Sequence, residues 1–236
     1  MQLFIYPTSE IASQQAFERI RHAINDGATT LGLATGGTPE QLYTLMRQSD
    51  IDFSHMTSIN LDEYYGLAPT HPKSYHVYMQ QNLFDAKPFK QTFIPNGENK
   101  AVAEETARYE KILNEHPIDL QILGIGGNGH IGFNEPGTAF DSTTSLVQLT
   151  DSTIQANKRY FQSEEDVPKQ AYSMGIGSIL KAKEIILLAF GEKKAEAIRA
   201  LMSGEVTTDN PASALHNHQN VTVIVDEAAA QLLPKS

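Results

Sequence analysis

The sequence has no cysteine, only 18 Lys+Arg against 28 Asp+Glu, and no apolar run of membrane-spanning length in its 236 residues. Each shortage excludes something. Without Cys there is no disulfide scaffold, no thiolate nucleophile and no cysteine-based zinc or iron–sulfur site. A net charge of −10 argues against a broadly basic surface for nucleic acid or membrane. An anionic substrate would therefore have to be drawn in by a local pocket. The opening Met1-Gln2-Leu3-Phe4-Ile5-Tyr6-Pro7 lacks the basic start of a secretory signal, so a soluble cytoplasmic protein is expected. No repeat, low-complexity tract or long linker interrupts the chain, and a single domain over 1–236 is expected.

What is present is an alternation of strand-like and helix-like stretches. Residues 2–6, 29–35, 56–61, 118–125, 184–190 and 221–225 read as strands. The nearly continuous apolar run at 184–190 suits a strand buried on both faces. Ala12, Ala16, Ile20 and Ala23 follow a helical period that Asp26-Gly27 ends, and Val102, Thr106, Tyr109 and Leu113 mark another helix. Further helices are expected up to about Arg47, over 194–203 and after Asp226. This order predicts an α/β fold: an open, mostly parallel, Rossmann-like sheet with helices on both faces. Ligands of such sheets sit beyond the carboxyl ends of the strands, at a topological switch point.

The residues after the strands were weighed on that basis. Gly36-Gly37-Thr38-Pro39 opens a helix. Free N–H groups there, with the Thr38 hydroxyl, would suit a phosphate; a plain turn capped by Thr38 is the alternative. Asp62, in Asp62-Glu63-Tyr64, is placed to take a proton from substrate, or else belongs to a solvated acidic turn. The stretch from Gly124 to Gly137 satisfies G-x-G-x-x-G, but Gly132 and Pro136 disfavour the helix that dinucleotide binding needs. It reads instead as a glycine-shaped loop presenting His130 and Glu135, with His130 able to give and take a proton. Gly191-Glu192-Lys193-Lys194 opens another helix, and Lys194 is preferred to Lys193 as an anion ligand. His216-Asn217-His218 has no third ligand near it, so no metal site is expected. Residues 151–171, with Lys158, Arg159, Glu164, Glu165, Asp166 and Lys169, read as a cover over the sheet edge, part of a lid at about 150–175. Arg159 is its candidate phosphate ligand, or else a surface salt-bridge partner.

These segments together resemble the glucosamine-6-phosphate deaminase family. The resemblance rests on GGTP at 36–39, LDEY at 61–64, HPKSY at 71–75, GNGHIGFNEPG at 127–137, ANKRYF at 156–161 and GEKKAEA at 191–197, and spans nearly the whole chain. It implies conversion of glucosamine 6-phosphate and water to fructose 6-phosphate and ammonia, without metal or organic cofactor. By resemblance Asp62 is the base working between C2 and C1, His130 opens the pyranose ring and Glu135 is its carboxylate partner. Gly36, Gly37, Thr38, Arg159 and Lys194 match positions that hold the 6-phosphate. Some members have Asp where this chain has Asn128, so here the group beside His130 orients it without charge. Larger members are hexamers activated by an N-acetylated sugar phosphate through basic residues; the matching stretch at 142–148 has no Lys or Arg. A short-form enzyme without that activation, monomeric rather than oligomeric, is expected. A 6-phosphogluconolactonase-like hydrolase would share GGTP and the Gly-His loop but need no base at C2. A non-catalytic sugar-phosphate sensor would need none of Asp62, His130 and Glu135.

Overall fold

The computed structural model describes residues 1–163 and 166–234. The element order is β1 (Gln2–Tyr6), α1 (Ser9–Asn25), β2 (Thr30–Leu33), α2 (Glu40–Gln48), β3 (Thr57–Asn60), β4 (Asp62–Tyr64) and α3 (Tyr75–Met79). A π-helical turn (Gln80–Phe84), β5 (Gln91–Phe93), α4 (Val102–Glu115), β6 (Leu120–Leu123), β7 (Ser145–Gln148) and α5 (Asp151–Asn157) follow. After a 3-10 turn (Lys158–Tyr160) come β8 (Gln170–Ser173), α6 (Ile176–Ile179), β9 (Glu184–Ala189) and a second 3-10 turn (Glu192–Lys194). Last are α7 (Ala195–Met202), a third 3-10 stretch (Pro211–Asn217), β10 (Val221–Asp226) and α8 (Glu227–Ala230).

Seven strands form one sheet in the order β1-β10-β9-β6-β2-β3-β5, and every neighbouring pair is parallel. Parallel pairing forces a crossover after each strand, and the crossover helices cover both faces. Along β9, Ile185 and Leu187 join a core with Tyr109, Ile112, Ile198 and Leu201. Ile186 and Leu188 join the opposite core with Ala16, Ile20, Leu42 and Met46. Each such side chain contributes about 1.5–3 kcal/mol by leaving water, which is why β9 is apolar at every position after Glu184.

The chain passes from β2 outward to β3 and β5, then returns to β6 and proceeds the other way to β9 and β10. The direction reverses between β2 and β6. The GGTP turn follows one of these strands and the glycine-rich loop follows the other, so both lie at the switch point. No regular helix follows the glycine-rich loop before β7, which removes the dinucleotide reading.

A second, three-stranded antiparallel sheet, β4-β8-β7, is the main departure from expectation. Asp62-Glu63-Tyr64 is no solvated turn. It is a buried strand that pairs with β8, Asp62 opposite Ser173. Glu63, fully buried, anchors it by accepting from the backbone N–H groups of Tyr64, Tyr75 and His76 at 2.9, 2.9 and 3.1 Å. Ala171 and Tyr172 are fully buried in β8, paired on both sides, so those residues are sheet. Glu164 and Glu165 lie outside the described residues. Pro39 precedes α2 with helical backbone angles, and no side chain caps that helix, so Thr38 is not its cap.

Candidate active site

A cavity of about 610 Å³ opens at the switch point. Gly36, Gly37, Thr38, Asp62, Asn128, His130, Arg159 and Lys194 all line it. Glu135 does not; it stands behind the wall and touches the others through Asn128.

Leu61 carries the chain out of the main sheet, and Asp62 begins the second one. Its carboxyl faces the cavity yet is only 6% exposed. Burial pushes its pKa up to about 8, and the neighbouring Glu63 charge pushes the same way. A carboxyl of this kind is poised for proton transfer near neutral pH, particularly once a cationic group on a ligand favours its ionised form.

His130 is held from two sides. Its Nδ1 lies 2.7 Å from Asn128 Oδ1, and Asn128 Nδ2 donates to Glu135 Oε2 at 2.7 Å. An amide whose nitrogen faces a carboxylate presents its oxygen to the ring, so Nδ1 carries the proton and Nε2 is the nitrogen left with a lone pair. The other side of the ring rests on Gly126: a Cβ there would come within 2.1 Å of Nδ1 and Cε1. Only glycine permits this contact. Burial lowers the His130 pKa; Glu135, 3.5 Å from Nδ1, opposes this and Lys194 reinforces it. The unliganded site thus favours the neutral ring.

The anion end is built from backbone and cations. Gly36 has φ +91°, a left-handed conformation natural to glycine, and its carbonyl accepts from Tyr78 Oη at 2.6 Å. This turns Gly37 and Thr38 toward the cavity. Lys194 Nζ donates to the Ile125 carbonyl at 2.6 Å. Burial lowers the Lys194 pKa, and the like charge of Arg159 lowers it further. The Arg159 guanidinium lies 4.7 Å over the Tyr160 ring and donates to its hydroxyl. Among the described residues neither cation is paired with a carboxylate. Two cations beside a glycine turn are chemically suited to a doubly charged anion. Lys193 does not line the cavity.

Several lining residues were not singled out from the sequence. Tyr64, Tyr75, Phe133 and Phe161 form an aromatic wall, with Tyr64 and Tyr75 ring centroids 4.7 Å apart. The HPKSY segment was the available signal for Tyr75: Ser74 caps the helix that Tyr75 begins. Away from the cavity, His216 and His218 bond the carbonyls of Leu201 and Ala182. Among the described residues no cluster of three or more His, Cys, Asp or Glu side chains could hold a metal ion. Nor is any described helix long and apolar enough to cross a membrane.

Residues 8–224 match the family described as glucosamine-6-phosphate isomerases/6-phosphogluconolactonase. A glucosamine-6-phosphate deaminase of Lacticaseibacillus paracasei is 58% identical over 235 residues, covering 100% of both chains. One from Listeria monocytogenes is 58% identical, covering 99% of this chain and 100% of its own. A solved monomeric glucosamine-6-phosphate deaminase superposes with TM-score 0.95 at 46% identity, over 98% of this chain and 100% of that one. The 6-phosphogluconolactonase of Trypanosoma brucei, TM-score 0.81 and 16% identical over 99% of this chain and 98% of that one, shares the fold.

Proposed function

The chain belongs to the family of glucosamine-6-phosphate isomerases and 6-phosphogluconolactonases, and on that premise we propose that it is a glucosamine-6-phosphate deaminase. It converts glucosamine 6-phosphate and water to fructose 6-phosphate and ammonia. The observation that carries this reading is the buried carboxyl of Asp62, with a pKa of about 8, sharing one cavity with a tautomer-fixed His130 and the cations Arg159 and Lys194.

The phosphate sits on Gly36, Gly37, Thr38, Arg159 and Lys194, and its binding energy orients the distant reacting carbons. His130 Nε2 takes the hydroxyl proton at C1 and returns it to the ring oxygen, opening the pyranose. The neutral ring favoured by burial suits this order. Asp62, ionised when the substrate ammonium lies beside it, removes the C2 proton while one ammonium proton passes to the aldehyde oxygen, giving a neutral enaminol. It then delivers a proton to C1, leaving an iminium at C2. Water adds to C2 and ammonia leaves. Asn128 and Glu135 keep the imidazole oriented. Lactone hydrolysis would leave Asp62 without a substrate carbon to serve.

The whole chain acts as one catalytic unit, with α5 and the 3-10 turn after it as the cover. It works as a monomer without an amino-sugar activator, in the cytoplasm, where a phosphorylated sugar is retained by its charge. Purified protein mixed with glucosamine 6-phosphate should release ammonia and fructose 6-phosphate in equal amounts. No ammonia, with hydrolysis of 6-phosphogluconolactone, would replace this reading with the lactonase one.

A further inference from the structure

Glu135 stands outside the cavity wall, yet both its oxygens are engaged. Oε2 accepts from Asn128 Nδ2 at 2.7 Å, and Oε1 accepts from Thr153 Oγ1 at 2.5 Å. Thr150 Oγ1 is within donating distance of both Glu135 Oε1, at 3.2 Å, and Thr153 Oγ1, at 3.1 Å. Both threonines belong to the start of α5: Thr150 caps the helix by accepting from the Thr153 N–H at 3.3 Å, and Thr153 is buried. A hydroxyl has one proton to give; Thr153 is the closer donor to Glu135, and Thr150 divides its single proton between Glu135 and Thr153.

From this geometry we propose that Thr153 is a positioning residue: by holding Oε1 of Glu135, it reserves Oε2 for Asn128 and keeps Asn128, not Glu135, as the acceptor for His130 Nδ1. The proposal rests on the reading of His130 as the group that opens the ring. The margin it guards is small. Oε2 is already 3.5 Å from Nδ1, so a movement of less than about 1 Å would make a direct charge-assisted hydrogen bond. That bond would favour the protonated imidazole and remove the lone pair on Nε2. The charged groups acting on His130 are Glu135 from its own loop and Lys194 from the turn before α7, with Arg159 beyond Lys194; the titratable Asp62 lines the same cavity. Of these, Glu135 is the one that Thr153 restrains directly. Arg159 lies six residues further along the same segment, about 9 Å away at the helical rise. An anion held by Arg159 therefore steadies the same element that orients Glu135.

The test is Thr153→Val, which keeps the volume and deletes the closer donor, with Thr153→Ser as the conservative rescue. The His130 imidazole is titrated by NMR and the pH profile of ammonia release is recorded in parallel. In Thr153→Val, His130 should titrate at least about 0.5 pH unit higher than in wild type. The acidic limb of kcat should move with it and KM should change little. Thr153→Ser should restore both. Should Thr153→Val fail to fold, Thr153→Ala carries the same expectation. A His130 titrating at or below the wild-type value in the variant lacking the hydroxyl overturns the proposal. Absence of ammonia release by the wild type would instead defeat the functional reading, while the imidazole titration still decides the role of Thr153.

Discussion

Nδ1 of His130 meets the side-chain oxygen of Asn128 at 2.7 Å, so the atom nearest the imidazolium proton is a neutral amide. An aspartate at this position would place a formal charge there. Asn128→Asp should raise the His130 pKa and shift the acidic limb of the kcat/KM profile to higher pH by about one unit or more. An unmoved profile would mean that His130 does not govern that limb.

Asp62 makes folding itself pH-dependent. Its carboxyl titrates near 3.8 ordinarily and near 8 in the fold. The fold favours the neutral form, so this contribution to stability is fully present below about pH 4 and is lost as pH rises through about 8. Each pH unit in that window removes at most about 1.4 kcal/mol. Asp62→Asn escapes this loss. Its melting temperature relative to wild type should increase from pH 5 to about pH 8 and then level off, as followed by circular dichroism. A difference independent of pH would show that Asp62 is not buried as described.

The two cations should separate by their side effects. Arg159→Ala and Lys194→Ala each remove a charged donor, worth about 1.5–3 kcal/mol, so KM for the sugar phosphate should rise tenfold to about a hundredfold. Lys194 also lowers the His130 pKa, and Arg159 acts on Lys194. Only Lys194→Ala should therefore raise the His130 titration measurably, which steady-state kinetics and imidazole NMR together would reveal.

The resemblance sets residues 142–148 against the activator-binding stretch of larger family members; here they include β7, the outer strand of the small sheet, and contain no Lys or Arg. N-acetylglucosamine 6-phosphate should leave the substrate-saturation curve unchanged apart from competition at the active site. A lowered half-saturation or raised velocity would contradict this.

Six strands of the parallel sheet were legible because burial on both faces writes nearly continuous apolar runs such as 184–190, and five of the six are followed by glycine or acid; the edge strand β5, a short and largely exposed Gln-Thr-Phe, was not legible. Nor was the second sheet. β7 is half-exposed and reads Ser-Leu-Val-Gln, β8 reads Gln-Ala-Tyr-Ser, and β4 is three residues long. Their pairing joins Asp62 to Ser173, a contact between distant parts of the chain that no local pattern encodes. The same division holds in the site. Asp62, His130 and Lys194 announce themselves beside their own glycines or strand ends. The support of His130 by Gly126, of Gly36 by Tyr78 and of Glu135 by Thr153 depends on which side chains meet.

The central claim is that one buried carboxyl moves the proton between adjacent sugar carbons. Its most direct test is the rate of ammonia release from saturating glucosamine 6-phosphate by Asp62→Asn, beside an equilibrium measurement of its affinity for the same compound. The account predicts a rate at least about a thousandfold below wild type with affinity within about tenfold. Release at a rate within tenfold of wild type would contradict it.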